Sequence, residues 1–282
     1  EEVCAAVLVG YEVYIRLSRA LQPDLMHRGF HGTGVVGAVA ASAACAKLLG
    51  LDEWQTHNAL SFGAIQASGL FEVSESGQAS KPINPANACR TGVESALLAR
   101  EGADAPLAPF EGVKGMFHAF TDHPRPSEIT DHLGEQLAIQ SCYIKLSPAC
   151  RHTHPSIDAG ITLGKRNLID PDKIDRIRIY TYPNAVYVTG SIAMPQDAAQ
   201  AKFSMRYALA MALQHGRYSL KELEEAGRED PKTELLIQKM EIISDPAYED
   251  KDKGIRGGRV ELVFTDGRVD SCYVPVPRGE LE

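Results

Sequence analysis

Apolar positions recur at helical spacing through the first 126 residues, and the period changes after about residue 140. The run from Val35 to Leu49 has six Ala in the nine residues from Ala38 to Ala46. Side chains that small allow close backbone approach on every face, so this segment is expected to form a central, buried helix. Gly50 ends it in a left-handed cap. Asp52, with Gln55 three residues on, then opens the next helix at capping-box spacing. A further helix is expected from about Ala86 to Arg100, stopped by Gly102. The chain opens on Glu1 and Glu2 and runs straight into Val3 to Val9, with no initiator Met and no cap. It reads as starting inside a helix, as an excised piece of something longer would.

In the second part, Cys142 to Leu146 has the pattern of a short strand and Pro155 to Arg166 that of a helix. Arg176 to Thr181 alternates polar and apolar, as a half-buried strand does. Ala198 to Gln214 reads as one amphipathic helix. Ser219 with Glu222, and Asp230 before Pro231, mark two more helix starts. Near the end, Val260–Thr265 and Arg268–Val274 flank Asp266-Gly267, the signature of a hairpin with a two-residue type I′ turn. Between the two parts, Ala103 to Pro126 is rich in Pro and Gly, which places a boundary near residues 122–140. The expected fold class is therefore an all-α helical domain over residues 1–126 followed by an α+β domain over residues 140–282.

Composition adds exclusions. The chain has 282 residues, 44% hydrophobic and 23% charged, which is ordinary for a globular protein and excludes disordered, collagen-like and coiled-coil classes. A net charge of -8 argues against a nucleic-acid partner, while leaving room for a local basic pocket. By a count along the sequence no run reaches the ~18 apolar residues of a membrane span, because Lys47 interrupts the most apolar one. Six scattered cysteines without a C-x-x-C pair point to reduced thiols in a cytoplasmic compartment.

Nucleophile-elbow, P-loop and H-E-x-x-H motifs are absent. The glycines around His31 follow a basic run and not an apolar strand, which argues against a dinucleotide loop. His31 stands in that loop (Arg28-Gly-Phe-His-Gly-Thr-Gly34) at the mouth of the Ala-rich helix. A helix N-terminus favours an anion nearby, and a His there is placed for acid or base work; the plainer reading is a satisfied loop histidine. Lys81 follows a polar loop from Ser74 to Ser80 and by itself reads as a surface lysine. Lys145 precedes Arg151, His152 and His154, which together make a carboxylate-binding lip. His152 and His154 could instead ligate a metal, with Cys150 as a third ligand if the backbone stays extended, although no other partner stands at a convincing spacing. The expectation is no metal.

Several spaced segments, taken in order, resemble the MmgE/PrpD family: Gly10 to Val13 with Arg16, Arg28 to Gly34, Ala44 to Asp52, Gln66 to Leu70, and Pro195 through Met205. That family contains 2-methylcitrate dehydratase, cis-aconitate decarboxylase and iminodisuccinate epimerase. The resemblance implies a helical domain joined to a smaller α+β lid, an active site in the cleft between them, a homodimer, and cofactor-free chemistry on small polycarboxylates. It assigns catalytic roles to His31, Lys81 and Lys145, and substrate contacts to Thr33, Gln66, Asn84, Arg151 and His154. His31 would move a proton at the carbon next to a carboxylate, and the two lysines would hold carboxylates.

Two departures qualify this. Asn84 stands where the family has a His, three residues after Lys81. The family's preceding helical segment, with its Asp/Thr/His cluster, and its final helical segment have no counterpart here, so a complete site is expected to need residues beyond these 282. A lyase is the expected activity, with a dicarboxylate epimerase and a catalytically silent assembly subunit as alternatives.

Overall fold

The computed structural model describes residues 1–75, 80–226, 229–250 and 255–280. It divides into two compact units, Glu1–Cys142 and Tyr143–Glu282. The first is helical and the second mixes helices with a sheet.

In the first unit, α1 (Glu2–Leu21), α2 (Gly32–Leu49), α3 (Glu53–Ile65) and α4 (Ile83–Arg100) pack around α2. Small residues set the approach. A Cβ placed on Gly92 of α4 would lie 2.3 Å from the Ala41 Cβ, and one on Gly63 of α3 would lie 2.4 Å from the Ser42 hydroxyl. Only glycine at these contacts lets α3 and α4 close on the Ala-rich faces of α2. Gly50, at φ 64°, caps α2, and Asp52 and Gln55 form the reciprocal capping box of α3. By length and composition α2 is apolar enough to cross a membrane, with a mean hydropathy of 1.5 over 18 residues, whereas the count along the sequence stopped at Lys47. In the structure, half of the helix is buried and its faces meet α1, α3 and α4.

In the second unit a four-stranded sheet is built from β1 (Ile174–Thr181), β2 (Met240–Ser244), β3 (Gly258–Phe264) and β4 (Val269–Val274), in the order β2-β1-β3-β4. Only the β1–β2 pair is parallel. Ile177 pairs with Leu262 and Ile179 with Val260, all fully buried, so one face is core. On the other face Arg178 pairs with Glu261 at 2.7 Å, and the Arg259 guanidinium lies 4.5 Å from the Tyr180 ring centroid. The helices α5 (His154–Arg166) and α6 (Met205–His215) pack against each other, and α5 lies on β3 and β4.

Three local expectations are corrected. Cys142–Leu146 forms no strand: Ile144 and Leu146 are 71% and 56% exposed, and among the described residues the one ladder-like bond is Ile144 N–H donating to the Gly279 carbonyl. The single helix expected over Ala198–Gln214 is two pieces, Ala198–Ala201 and α6. Ser204 breaks it by capping α6, accepting from Tyr207 N–H while its hydroxyl donates to the Ile192 carbonyl. The β3–β4 turn is not type I′, because Gly267 has positive φ (85°) and Asp266 does not. Gly267 N–H donates to Phe264 and Phe264 N–H to Arg268, which is a three-residue loop closed by a glycine bulge.

Candidate active site

His31 is the last extended residue before α2, with φ -85° and ψ 108°. Its backbone N–H donates to Gly69, and Phe71 N–H donates to Gly29, so segments 29–31 and 69–71 run antiparallel as a short clasp. Gly29 (φ 84°) and Gly69 (φ 131°) supply backbone conformations that side chains resist. Gly34 passes so close to this clasp that a Cβ there would be 2.5 Å from the Ser68 carbonyl oxygen. The glycines that draw the eye in the sequence thus serve to press two loops together around one imidazole.

His31 is 7% exposed. Its ring meets the Phe71 ring edge to face, and its Nδ1 lies 3.1 Å from the Asn84 amide nitrogen. Burial, reinforced by the positive charge of Lys81, holds the imidazole below its ordinary pKa and therefore neutral at pH 7. The Lys81 ammonium stands 6.0 Å from the centroid of the same Phe71 ring. Asn84 reaches His31 because α4 begins at Ile83, three residues before its expected start. Pro82 and Pro85 are tolerated there because first-turn N–H groups have no helical partner. Thr33, in the first turn of α2, accepts a 3.4 Å hydrogen bond from the Tyr14 hydroxyl. Gln66 is exposed at the end of α3 and donates to the Phe62 carbonyl and to the Ser95 hydroxyl. The first unit therefore gathers His31, Lys81 and Asn84, while the Gln66 amide is engaged with its own helix and with Ser95 of α4.

The second unit holds the remaining candidates. Lys145 lies exposed in the irregular segment before α5. Arg151, 6% exposed, pairs with Glu280 and stacks its guanidinium 5.2 Å from the Tyr143 ring centroid. Arg151 Nη1 and His154 Nε2 are both buried with no hydrogen-bond partner among the described residues. Arg151 Nη1 carries hydrogens and no partner, which is what a bound anion would satisfy. His154 is held below its ordinary pKa by burial and by Arg151 and Lys145. Burial, with Arg256, Arg151 and Lys145, pushes His152 down to about 4.

Residues 151–153 form a 3₁₀ turn leading into α5, so the extended backbone that a Cys150–His152–His154 metal set requires is not present. Among the described residues no three His, Cys, Asp or Glu side chains are grouped to hold a metal ion. His152 Nδ1 instead makes a 2.5 Å hydrogen bond with the Tyr182 hydroxyl, a residue the sequence reading did not single out. Tyr182 is fully buried, and nothing in its local pattern separates it from a core aromatic.

The chain is similar to several known proteins. It is 28% identical to a cis-aconitate decarboxylase-like protein of Aspergillus oryzae, over 97% of this chain and 60% of that protein. It is 28% identical to human cis-aconitate decarboxylase, over 86% of this chain and 50% of the human protein. It is 23% identical to 2-methylcitrate dehydratase of Escherichia coli, over 86% of this chain and 52% of that enzyme. The chain thus spans between half and three-fifths of the length of these relatives. Residues 1–129 match the MmgE/PrpD N-terminal domain and residues 147–282 the MmgE/PrpD C-terminal domain. With the two matches covering most of the chain in this order, it belongs to the MmgE/PrpD family.

Proposed function

We propose that this protein is a lyase, a decarboxylase or dehydratase, acting without a cofactor on a small di- or tricarboxylate. The observation that carries the reading is His31: a buried, neutral imidazole at a helix N-terminus, with the Lys81 ammonium against the same aromatic ring. Relatives named for cis-aconitate and 2-methylcitrate chemistry support the substrate class. In the second unit, Lys145 and Arg151 supply cationic groups suited to a carboxylate, and Arg151 Nη1 has no partner among the described residues.

In a dehydration, the C–H bond next to a carboxylate breaks and its proton goes to a protein base. The electron pair enters the carboxylate as an enediolate, and the β-hydroxyl leaves as water after taking a proton. In a decarboxylation, the C–C bond breaks, carbon dioxide leaves, and the electron pair retained by the substrate is captured by a proton. Both routes build negative charge on carboxylate oxygens, which cationic and N–H groups stabilise. The protein is further proposed to work as a homodimer in the cytoplasm, on the family resemblance and on six free thiols.

Proton NMR in deuterated buffer with chelator, on a panel including cis-aconitate, 2-methylcitrate and citrate, tests the reading. A new vinyl proton or a lost carboxyl carbon is expected, and His31→Ala should lower kcat by about 100-fold or more. Deuterium entering an α-carbon without a new compound would make the protein an epimerase. No turnover across the panel by the full-length folded protein would overturn the lyase reading.

A further inference from the structure

We propose that Asn84 is a positioning residue that holds His31 as the Nε2–H tautomer, so that the ring meets a substrate oxygen as a neutral hydrogen-bond donor while a different group takes the substrate proton. Placing His31 at the reacting centre rests on the function proposed above, whereas the tautomer follows from counting hydrogens.

The Leu70 carbonyl can only accept, so the Asn84 side-chain atom 3.1 Å from it is the amino nitrogen. That same nitrogen lies 3.1 Å from His31 Nδ1. An amino nitrogen can only donate, so Nδ1 receives the hydrogen and carries the lone pair. A neutral imidazole with a bare Nδ1 bears its proton on Nε2. Turning the amide over would set two oxygens, those of Asn84 and Leu70, against each other, so the carbonyl settles the orientation.

The surroundings allow the amide little freedom. Asn84 is 7% exposed, and a Cβ on Gly69 would come within 3.1–3.4 Å of its amide atoms. Gly69, at φ 131°, is thus the backbone lid on the amide, and its missing side chain is the space the amide occupies.

An Nε2 that already bears a proton cannot accept one from a C–H bond. It can donate a hydrogen bond to a carboxylate oxygen as charge develops there, and no proton need leave the ring. A histidine at position 84 could offer either a donor or an acceptor to Nδ1; asparagine presents only a donor in this orientation. The substitution that looks like a loss of proton-shuttling capacity therefore specifies one protonation state of its neighbour.

Long-range proton–nitrogen correlation NMR on protein labelled at histidine, at pH 7.5, reads the tautomer directly, and the His31→Gln spectrum assigns the signal among the nine histidines. The expected wild-type result is a neutral His31 protonated at Nε2. In Asn84→Asp the carboxylate accepts, so the proton should move to Nδ1, with kcat falling on the order of 100-fold as the donor is lost. Asn84→Ala removes the donor and adds nothing, and should give a mixture of tautomers. A wild-type His31 protonated at Nδ1 would overturn the proposal, as would an Asn84→Asp protein whose His31 proton stays on Nε2. If Asn84→Asp does not fold, the wild-type and Asn84→Ala spectra decide. Absence of lyase activity with the Nε2–H tautomer in place would sink the proposed function and leave the hydrogen-bond assignment intact.

Discussion

His152 ties protonation to stability. Its folded pKa, about 4, lies below the 6.5 of an unpaired histidine, so below pH 6.5 the unfolded chain binds the proton more readily. The stability linked to this group is complete above pH 6.5 and is lost as pH falls toward 4, by up to about 3 kcal/mol. His31 and His154 shift in the same direction and add to the trend. Urea unfolding at pH 7.5 and pH 4.5 should show the loss, and His152→Gln should flatten it. Arg16 is a second residue-level dependency. It is 6% exposed, pairs with Glu12, and donates to the carbonyls of Ile129, Asp131 and Gln136. Arg16→Met should cost about 3 kcal/mol in denaturant unfolding, because Glu12 and the carbonyls lose their partner. His31 was legible as a special residue because glycines cluster around it. The part Asn84 plays was not, because its partners lie 53 and 14 residues away.

Between elements, helix contacts in the first unit depend on missing side chains. Gly92→Ala should gain about 1 kcal/mol in helix propensity and lose more through its clash with Ala41. A net loss of about 1–2 kcal/mol by thermal unfolding is expected, and a more stable variant would show that α2 and α4 can move apart at little cost. Ser204→Ala should cost about 1–2 kcal/mol, since it leaves the Tyr207 N–H buried without its cap. The capping boxes at Asp52 and Ser219 and the cap at Asp230 were readable because their partners lie within three residues. The break at Ser204 was not, since continuous amphipathic spacing hides a hydroxyl whose other partner is Ile192.

Across the whole molecule, a net charge of -8 coexists with a concentration of Lys145, Arg151 and Arg256 whose fields depress His152. For a polycarboxylate substrate, raising ionic strength from 0.05 to 0.5 M should raise KM several-fold and leave kcat nearly unchanged. A KM indifferent to salt would argue against carboxylate capture by these groups. The change of hydrophobic period announced a helical part and an α+β part, because each element must turn an apolar face to a core at its own spacing. Caps, hairpin position and the buried Ala-rich helix were likewise written in local patterns, where the interacting groups are a few residues apart. Which imidazole is neutral, which amide holds it, and which nitrogens stay unsatisfied were decided only by folding. Those properties depend on burial and on partners distant along the chain, and a hydrogen bond has a donor and an acceptor only once both ends are in place.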